Sequence, residues 1–384
     1  MRRRIASITC AAQMGLWVLG LAHAQTNWPQ LGFDNAHSGW NQTETQLSVS
    51  NVAGLAPLWT FPTQGTFSSP AVVNGVLYVG SGDGHVYAID ADTGALLWKT
   101  LLGGGGTSSS PAVADGTVYI GTGVDTGFFY ALDAATGNVR WRFRPAAGVA
   151  SSPAVDNGTV YFGANDASIY ALDASSGAVV WKVKTKATVL SSPAVDHGMV
   201  FVGSESGTVL SLNAATGAVV WASPHPSVTI FSSPAVADGI VYIGLTNGVV
   251  QALDAASGQT VWRTLITPPA VLGAVPGSPS VANGIVYVGT DAGTFFALDA
   301  ATGTPLWRAK FPGETFVSSP AVANGVVYAG GETSSLHVMD AFTGKILDAL
   351  TTGGPLYYSS PVVVNGTVYA GSFDKLMHAW RLPQ

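Results

Sequence analysis

The run Ala131-Leu132-Asp133-Ala134-Ala135-Thr136-Gly137-Asn138-Val139-Arg140-Trp141 reads Ala-x-Asp-x-x-x-Gly-x-x-x-Trp, and the same spacing returns at 88–98, 171–181, 252–262 and 297–307. A further copy at 211–221 carries Ser211 and Asn213 in place of the Ala and Asp, and a decayed copy at 338–348 ends on Asp348 instead of Trp. A pattern returning at a fixed period restricts the chain to an array of one supersecondary unit, each copy burying its face against the next. The Ala marks a strand position too crowded for a larger side chain. The Asp carboxylate accepts hydrogen bonds from backbone N–H groups of the following turn. Asn213 keeps that acceptor without the charge, so the position needs hydrogen bonding rather than charge. The Gly supplies a positive φ, and the Trp is large enough to close the gap to a neighbouring unit.

A second set of signals interleaves with the first. Ser-Pro steps fall at Pro70, Pro111, Pro153, Pro193, Pro234, Pro279, Pro320 and Pro361, spaced 40 to 45 residues apart. Each precedes a short apolar strand and a turn ending in Gly, such as Asn74-Gly75, Asp115-Gly116 or Asn365-Gly366. Asn-Gly and Asp-Gly favour two-residue hairpins because both central residues need positive φ. A second strand follows with an aromatic two residues before a Gly, from Tyr78/Gly80 to Tyr369/Gly371. Four strands per unit and eight units predict an all-β, eight-bladed propeller of four-stranded antiparallel blades. The eighth unit ends at its third strand, around 379–382, while Leu58-Trp59-Thr60-Phe61 reads as a fourth strand with no first three. The two fragments are expected to complete one blade. Trp59 then joins Trp98, Trp141, Trp181, Trp221, Trp262 and Trp307 as a structural docking residue. The expected organisation is a signal peptide over 1–24, a lead-in over 25–54 and one propeller domain over 55–384.

These repeats, with their Ser-Pro-Ala-Val strand starts, resemble the tryptophan-docked eight-bladed propellers of the PQQ-like (quinoprotein alcohol dehydrogenase-like) superfamily. The segment Trp28-Pro29, Gly32, Asp34, Gly39, Asn51-Val52, Leu55 and Trp59 is similar to the lead-in of those quinoproteins. The resemblance implies one of two functions. Some members are periplasmic dehydrogenases that depend on PQQ and calcium, and others, of BamB-like architecture, bind proteins and carry no cofactor. The fold does not choose between them.

Composition bears on that choice. Arg2, Arg3 and Arg4, an apolar stretch around 14–21 and Ala22-His23-Ala24 read as a cleavable signal with processing near Ala24, hence a periplasmic or secreted protein. The single cysteine, Cys10, lies inside that signal, so the mature chain is expected to have no thiol, disulfide or Cys-based haem site. The adjacent cysteine pair typical of the family's alcohol dehydrogenases is missing. The whole chain carries a net charge of −6, and loss of the three arginines makes it more acidic, which disfavours nucleic acid as a partner. No later run is long enough to span a bilayer, and a monomer is expected.

Strand order places the Asn-Gly and Asp-x-x-x-Gly turns on one face, nearly uniform from unit to unit. The turns between second and third strands and the unit-to-unit connections lie on the other, which varies and is the expected functional face. Its turns carry Asp83, Asp125, Asp166, Glu205, Asp291, Glu332 and Asp374, with Asn247 in the fifth unit. A carboxylate ring suits an oxygen-ligand cation such as Ca²⁺, although Asp is also an ordinary turn residue. The connections bring His225, Phe316, Tyr357 and Tyr358 as candidate pocket or partner contacts. Gly103–Gly106 lacks the Gly-Lys-Ser/Thr and helix of a phosphate loop. Arg140, Arg142, Arg144, Lys182, Lys184 and Lys186 alternate on two outer strands, as guards of an open edge or as a docking patch for an acidic protein or anionic envelope polymer.

The sequence therefore favours a binding or scaffold module for a protein or envelope polymer, with no catalytic residue and no cofactor. The alternative is a PQQ- and calcium-dependent dehydrogenase of an alcohol or sugar. A lectin using the channel mouth is a third reading.

Overall fold

The computed structural model describes residues 26–383 apart from 66–67, 104, 124 and 268–272. The expected signal peptide over 1–24, Cys10, Gly104 and the middle of the 267–277 connection lie outside the described residues. The rest folds as eight antiparallel sheets, blades 1 to 8 in order of their first strands. Blade 1 is Ala71–Val73, Val76–Gly80, His85–Asp90 and Leu96–Leu101, numbered from the axis outwards, and blades 2 to 7 repeat this order. Blade 8 takes Val362–Val364, Thr367–Gly371 and Leu376–Arg381 from one end of the chain and its outer strand Ala56–Pro62 from the other. Trp59 lies opposite Ala379, and Pro57 opposite Trp380, so the expected seam is formed.

The long motif now has a geometry. Thr93 N–H donates to Asp90 Oδ1 at 2.8 Å and Thr136 N–H to Asp133 Oδ1 at 2.9 Å, while Asn213 Oδ1 takes the same bond from Thr216 at 3.0 Å. The register slips just before each docking Trp, as between Val139 and Trp141, and such a bulge turns the side chain out of its own sheet. The indole then reaches the next blade. Trp98 Nε1 donates to Ala134 O, Trp141 to Ala174 O, Trp181 to Ala214 O, and so on to Trp59 and Ala91 O, at 2.8–3.0 Å. The second-strand tyrosine donates to the same carbonyl, as Tyr78 Oη does to Ala134 O at 3.2 Å.

Nearer the axis, the doubled serine of each Ser-Ser-Pro step divides two tasks. The first caps its own blade: Ser109 Oγ accepts from Gly121 N–H and Ser151 Oγ from Gly163 N–H, both at 3.1 Å. The second links blades, because Ser69 N–H donates to Ser110 Oγ, Ser110 N–H to Ser152 Oγ, and Ser152 N–H to Ser192 Oγ, each at 2.9 Å. Ser360 N–H returns the circuit to Ser69 Oγ at 2.8 Å. Between these layers the core fills wedges between neighbouring sheets, as where Phe129 of blade 2 stacks on Phe162 of blade 3 with centroids 4.1 Å apart.

The lead-in is part of this core. Trp28 bridges Val72 of blade 1, and Pro29, Asn35, Ala36, Ser38 and Gly39 carbonyls accept from Val113, Val195, Val236, Val281 and Val322 N–H groups of blades 2, 4, 5, 6 and 7. Asn35 Nδ2 reaches Asp156 of blade 3, and Asn41 Nδ2 donates to Val363 O of blade 8 at 2.9 Å. Trp40–Asn41 also adds a parallel strand to blade 7. One segment thus touches the innermost region of every blade and fills the channel.

The docking ring is interrupted once, and for a structural reason. Blade 8 has no third-to-fourth turn, because its outer strand comes from 56–62. Blade 7 accordingly has Asp348 opposite Val338 where a docking Trp would stand. Its Tyr328 hydroxyl, whose counterparts donate to that turn, is buried with no hydrogen-bond partner among the described residues. The short 3-10 turn Val52–Gly54 sits against the outer strand Ile346–Thr351 instead, with Leu382 beside Gly54.

Two glycines separate the cost of backbone from the cost of contact. Gly198 and Gly217 share positive φ angles of 74° and 71°, but a Cβ at Gly198 meets nothing within 4 Å, whereas one at Gly217 lies 2.8 Å from the Trp181 ring. In urea unfolding, Gly198→Ala is expected to cost about 1 kcal/mol for backbone strain. Gly217→Ala is expected to cost a further ~1–3 kcal/mol for overpacking. Equal losses would remove the docking contact from the account.

Candidate functional site

The variable face places the sequence-derived acids first within their own blades. Asp83 accepts from Tyr87 Oη at 2.6 Å and His85 N–H at 2.9 Å; Asp166 from Tyr170 Oη at 2.6 Å; Asp374 from His378 Nε2 at 2.8 Å and Gly353 N–H at 2.8 Å. These three acids thus bind the side chain four positions on, where the third strand rises beside them. Burial opposes ionisation of Asp83 and Asp166, but hydrogen bonds from these tyrosines and neighbouring groups hold both carboxyls below the usual carboxylate value. Asp291 accepts from Ala274 N–H at 2.7 Å, and burial, reinforced by the nearby Glu332, raises its pKa. Asp125 is exposed and Glu205 half-buried, in separate blades. Among the described residues, no three His, Cys, Asp or Glu side chains converge as a metal site.

The basic stripe divides. Arg140 pairs with Asp133 at 2.7 Å and donates to Thr117 Oγ1, so it braces its own blade. Lys182 pairs with Asp166 at 3.2 Å over the Tyr170 ring, and Lys184 Nζ donates to Asp166 O. Arg142 and Arg144 both lie over the Phe128 ring, 5.1 and 5.5 Å from its centroid. They and the exposed Lys186 make no ion pair among the described residues.

Two candidate contacts prove to be interior. Phe316 is 1 % exposed, packed between Phe295 and Phe311, because a Cβ-sized gap over Gly289 draws it into the core. His225 is also buried, and burial, with Arg263 nearby, lowers its pKa. Tyr357 and Tyr358 do stay at the surface, their rings 4.8 Å apart and both near Phe373. No repeat position singles out Glu314, whose buried carboxylate accepts from Thr333 N–H and Oγ1 and pairs with His337 Nε2 at 2.8 Å. The residue before each Ser-Ser-Pro step is uncharged in every described blade: Ala150, Leu190, Phe231, Val317 and Tyr358 among them.

A family model described as "Outer membrane protein assembly factor BamB" matches residues 43–146, 125–270 and 246–382, together almost the whole described chain. The chain belongs to this BamB family. The crystal structure of BamB from Moraxella catarrhalis superposes with a TM-score of 0.71 at 24% identity, covering 85% of this chain and 97% of that one. A europium-containing methanol dehydrogenase superposes at 0.80 with 16% identity, covering 93% and 98%. The quinohemoprotein alcohol dehydrogenase of Comamonas testosteroni is 29% identical over 126 residues, 30% of this chain and 18% of the relative. The chain spans about a fifth of the length of the curated relatives it matches. The solved structures establish the shared propeller. No helix among the described residues is long and apolar enough to cross a membrane, which leaves β-barrels unaddressed.

In this BamB-family chain the channel itself holds the most perturbed histidine. His37 of the lead-in is enclosed at positive φ, with neither ring nitrogen hydrogen-bonded among the described residues. Burial lowers its pKa to about 4, the Pro234 carbonyl offsetting only part of that. Nearby Asp34 is raised by burial against the hydrogen bonds from Ser38. The depressed His37 value has a definite sign. Above the unfolded value near 6.5 both states are neutral; between about 6.5 and 4 only the unfolded chain gains the proton, so stability falls as pH falls. The loss from this residue is about 3 kcal/mol by pH 4. Denaturant unfolding of His37→Leu at pH 7 and pH 4.5 is expected to show a smaller drop than the native chain; an identical drop would mean His37 is solvated in the fold.

Proposed function

We propose that this chain is a periplasmic or secreted binding platform that docks an acidic partner on the rim of blades 2 and 3. The observation that carries this reading is the pair Arg142 and Arg144 held over Phe128 on blade 2, with the exposed Lys186 following the outer strand of blade 3. Cations stacked on an aromatic ring keep their charge available while losing little side-chain freedom. Arginine and aromatic side chains are also those that dominate protein interfaces. The patch stands out on a chain whose overall charge is −6, so it orients an approaching acidic surface. Kinship with an outer membrane assembly factor supports a protein partner, and an anionic envelope polymer presents the same charge.

The test uses Arg142, Arg144 and Lys186 because the other three cations brace the fold. Replacing those three by Ser is expected to weaken binding of a poly-glutamate peptide by at least ~10-fold, about 1.4 kcal/mol. Co-sedimentation with envelope fractions should fall in parallel, and raising salt should weaken the native chain's binding. Unchanged peptide affinity in the triple variant would remove this face from consideration. Loss of co-sedimentation with polymer but not with peptide would shift the partner class.

The alternative is a dehydrogenase using PQQ with calcium, and likeness to quinoprotein dehydrogenases supports it. The described residues fit that pair poorly. Asp83, Asp166 and Asp374 are engaged by side chains of their own blades, and no metal-ligand cluster converges among the described residues. A divalent cation of this kind asks for several free oxygen ligands. Titration with PQQ and Ca²⁺, followed by absorbance and melting temperature, is expected to give no saturable signal. Stoichiometric binding with dye-linked alcohol oxidation would reverse the order of the two readings.

A further inference from the structure

The uniform face of the wheel breaks its own pattern in blade 7. Two positions after the turn Asp, blades 1 to 6 carry Asp92, Ala135, Ser175, Ala215, Ala256 and Ala301, and blade 7 carries Phe342. Packing does not account for it, since Phe342 is 58% exposed. Its ring lies beside Gly325, where Val49 of the lead-in also arrives. Between the lead-in and blades 6 and 7 these residues border a groove of about 530 Å³, within the ~300–1,000 Å³ of small-molecule sites.

The lining has a consistent chemistry. Trp40 and Phe342 supply aromatic surface, and Gln42, Ser50 and Asn283 supply amides and a hydroxyl. The Trp40 indole N–H is unlike those of the docking tryptophans, all of which donate to a neighbouring blade: like the side-chain amides of Gln42 and Asn283, it makes no hydrogen bond among the described residues. The one charged lining residue, Glu44, is buried with its oxygens engaged by Gln46, Leu47 and Gly366 N–H groups. The groove therefore offers apolar faces and free neutral donors and acceptors, with no available charge.

We propose that this groove binds a neutral saccharide. A sugar ring has an apolar C–H face that lies on an aromatic ring and hydroxyls that both donate and accept, which side-chain amides match with one donor and one acceptor group each. A phosphate or carboxylate ligand would meet no cation here and would lose hydration without compensation. An extended peptide would need open strand edges, and the inner strands beside the groove are already bonded to the lead-in. The site lies on the opposite face from the turn acids and channel mouth and in different blades from Phe128, so it stands or falls apart from the rim reading.

The full chain is titrated with maltotriose, cellotriose and N,N′-diacetylchitobiose to roughly 10 mM, a range that captures weak specific binding, and followed by saturation-transfer NMR and calorimetry. At least one is expected to bind. Phe342→Ala and Asn283→Gly, which keeps the positive-φ turn, are each expected to weaken it at least ~10-fold with unchanged melting temperature. Phe373→Ala on the other face is expected to leave it unaltered. No binding by any of the three sugars, or affinity untouched by Phe342→Ala, overturns the proposal. So does Phe342-dependent binding of a neutral peptide where the sugars fail.

Discussion

One contact recurs around the wheel and holds its spacing: an indole N–H from one blade on an alanine carbonyl of the next, the ring lying on a glycine that has no side chain to displace it. Each element of the long motif follows from that contact. The Asp or Asn acceptor shapes the turn that presents the carbonyl. The glycine must be both left-handed and bare, and the bulge before the Trp swings the ring sideways out of its sheet. Because a blade's outer edge is wider than its inner edge, a bulky planar side chain at the periphery and a short hydroxyl at the axis are the natural spacers. The serine circuit and the tryptophan ring are the two radii of one geometry.

That contact also explains its own exception. Where blade 8 lacks a turn, the Trp of blade 7 has no seat, and Asp348 occupies its position. Tyr328 keeps its ring in the core but loses the carbonyl its counterparts use. Lead-in residues Leu47 and Val52 enter the same apolar cluster as Leu347, Trp380 and Leu382, so the seam is closed by packing instead of by the repeated hydrogen bond.

Much of this was legible in the chain. The period, the hairpin turns, the docking tryptophans and the seam between 56–62 and 376–381 all rest on local patterns that survive translation into structure. A connection residue such as Phe316 is expected to face outwards, whereas Gly289 leaves room for its ring inside. The acids are visible in the sequence as a ring, but the residue four positions on turns back to bind three of them only in the folded blade. The path of 26–44 has no periodic signal, since it meets most blades through single backbone carbonyls and blades 3 and 8 through asparagine side chains. The doubled serine of the Ser-Ser-Pro steps was the available clue to the inner circuit. Phe342 was available as well, as the single aromatic at its place in an otherwise small or polar column.

The threaded channel constrains the order of assembly. Thr26 and Asn365, which bond to each other, are 339 positions apart, and the segment between them must already curve into a circle before either finds its partner. Residues that leave the ribosome early are thus held back until the latest strands arrive, a topology of high contact order that folds slowly. Until then blades 1 to 7 present unsealed flanks, and a chain in that state is exposed to misassembly with its neighbours. For this architecture the latch is also the axle, and both are set last.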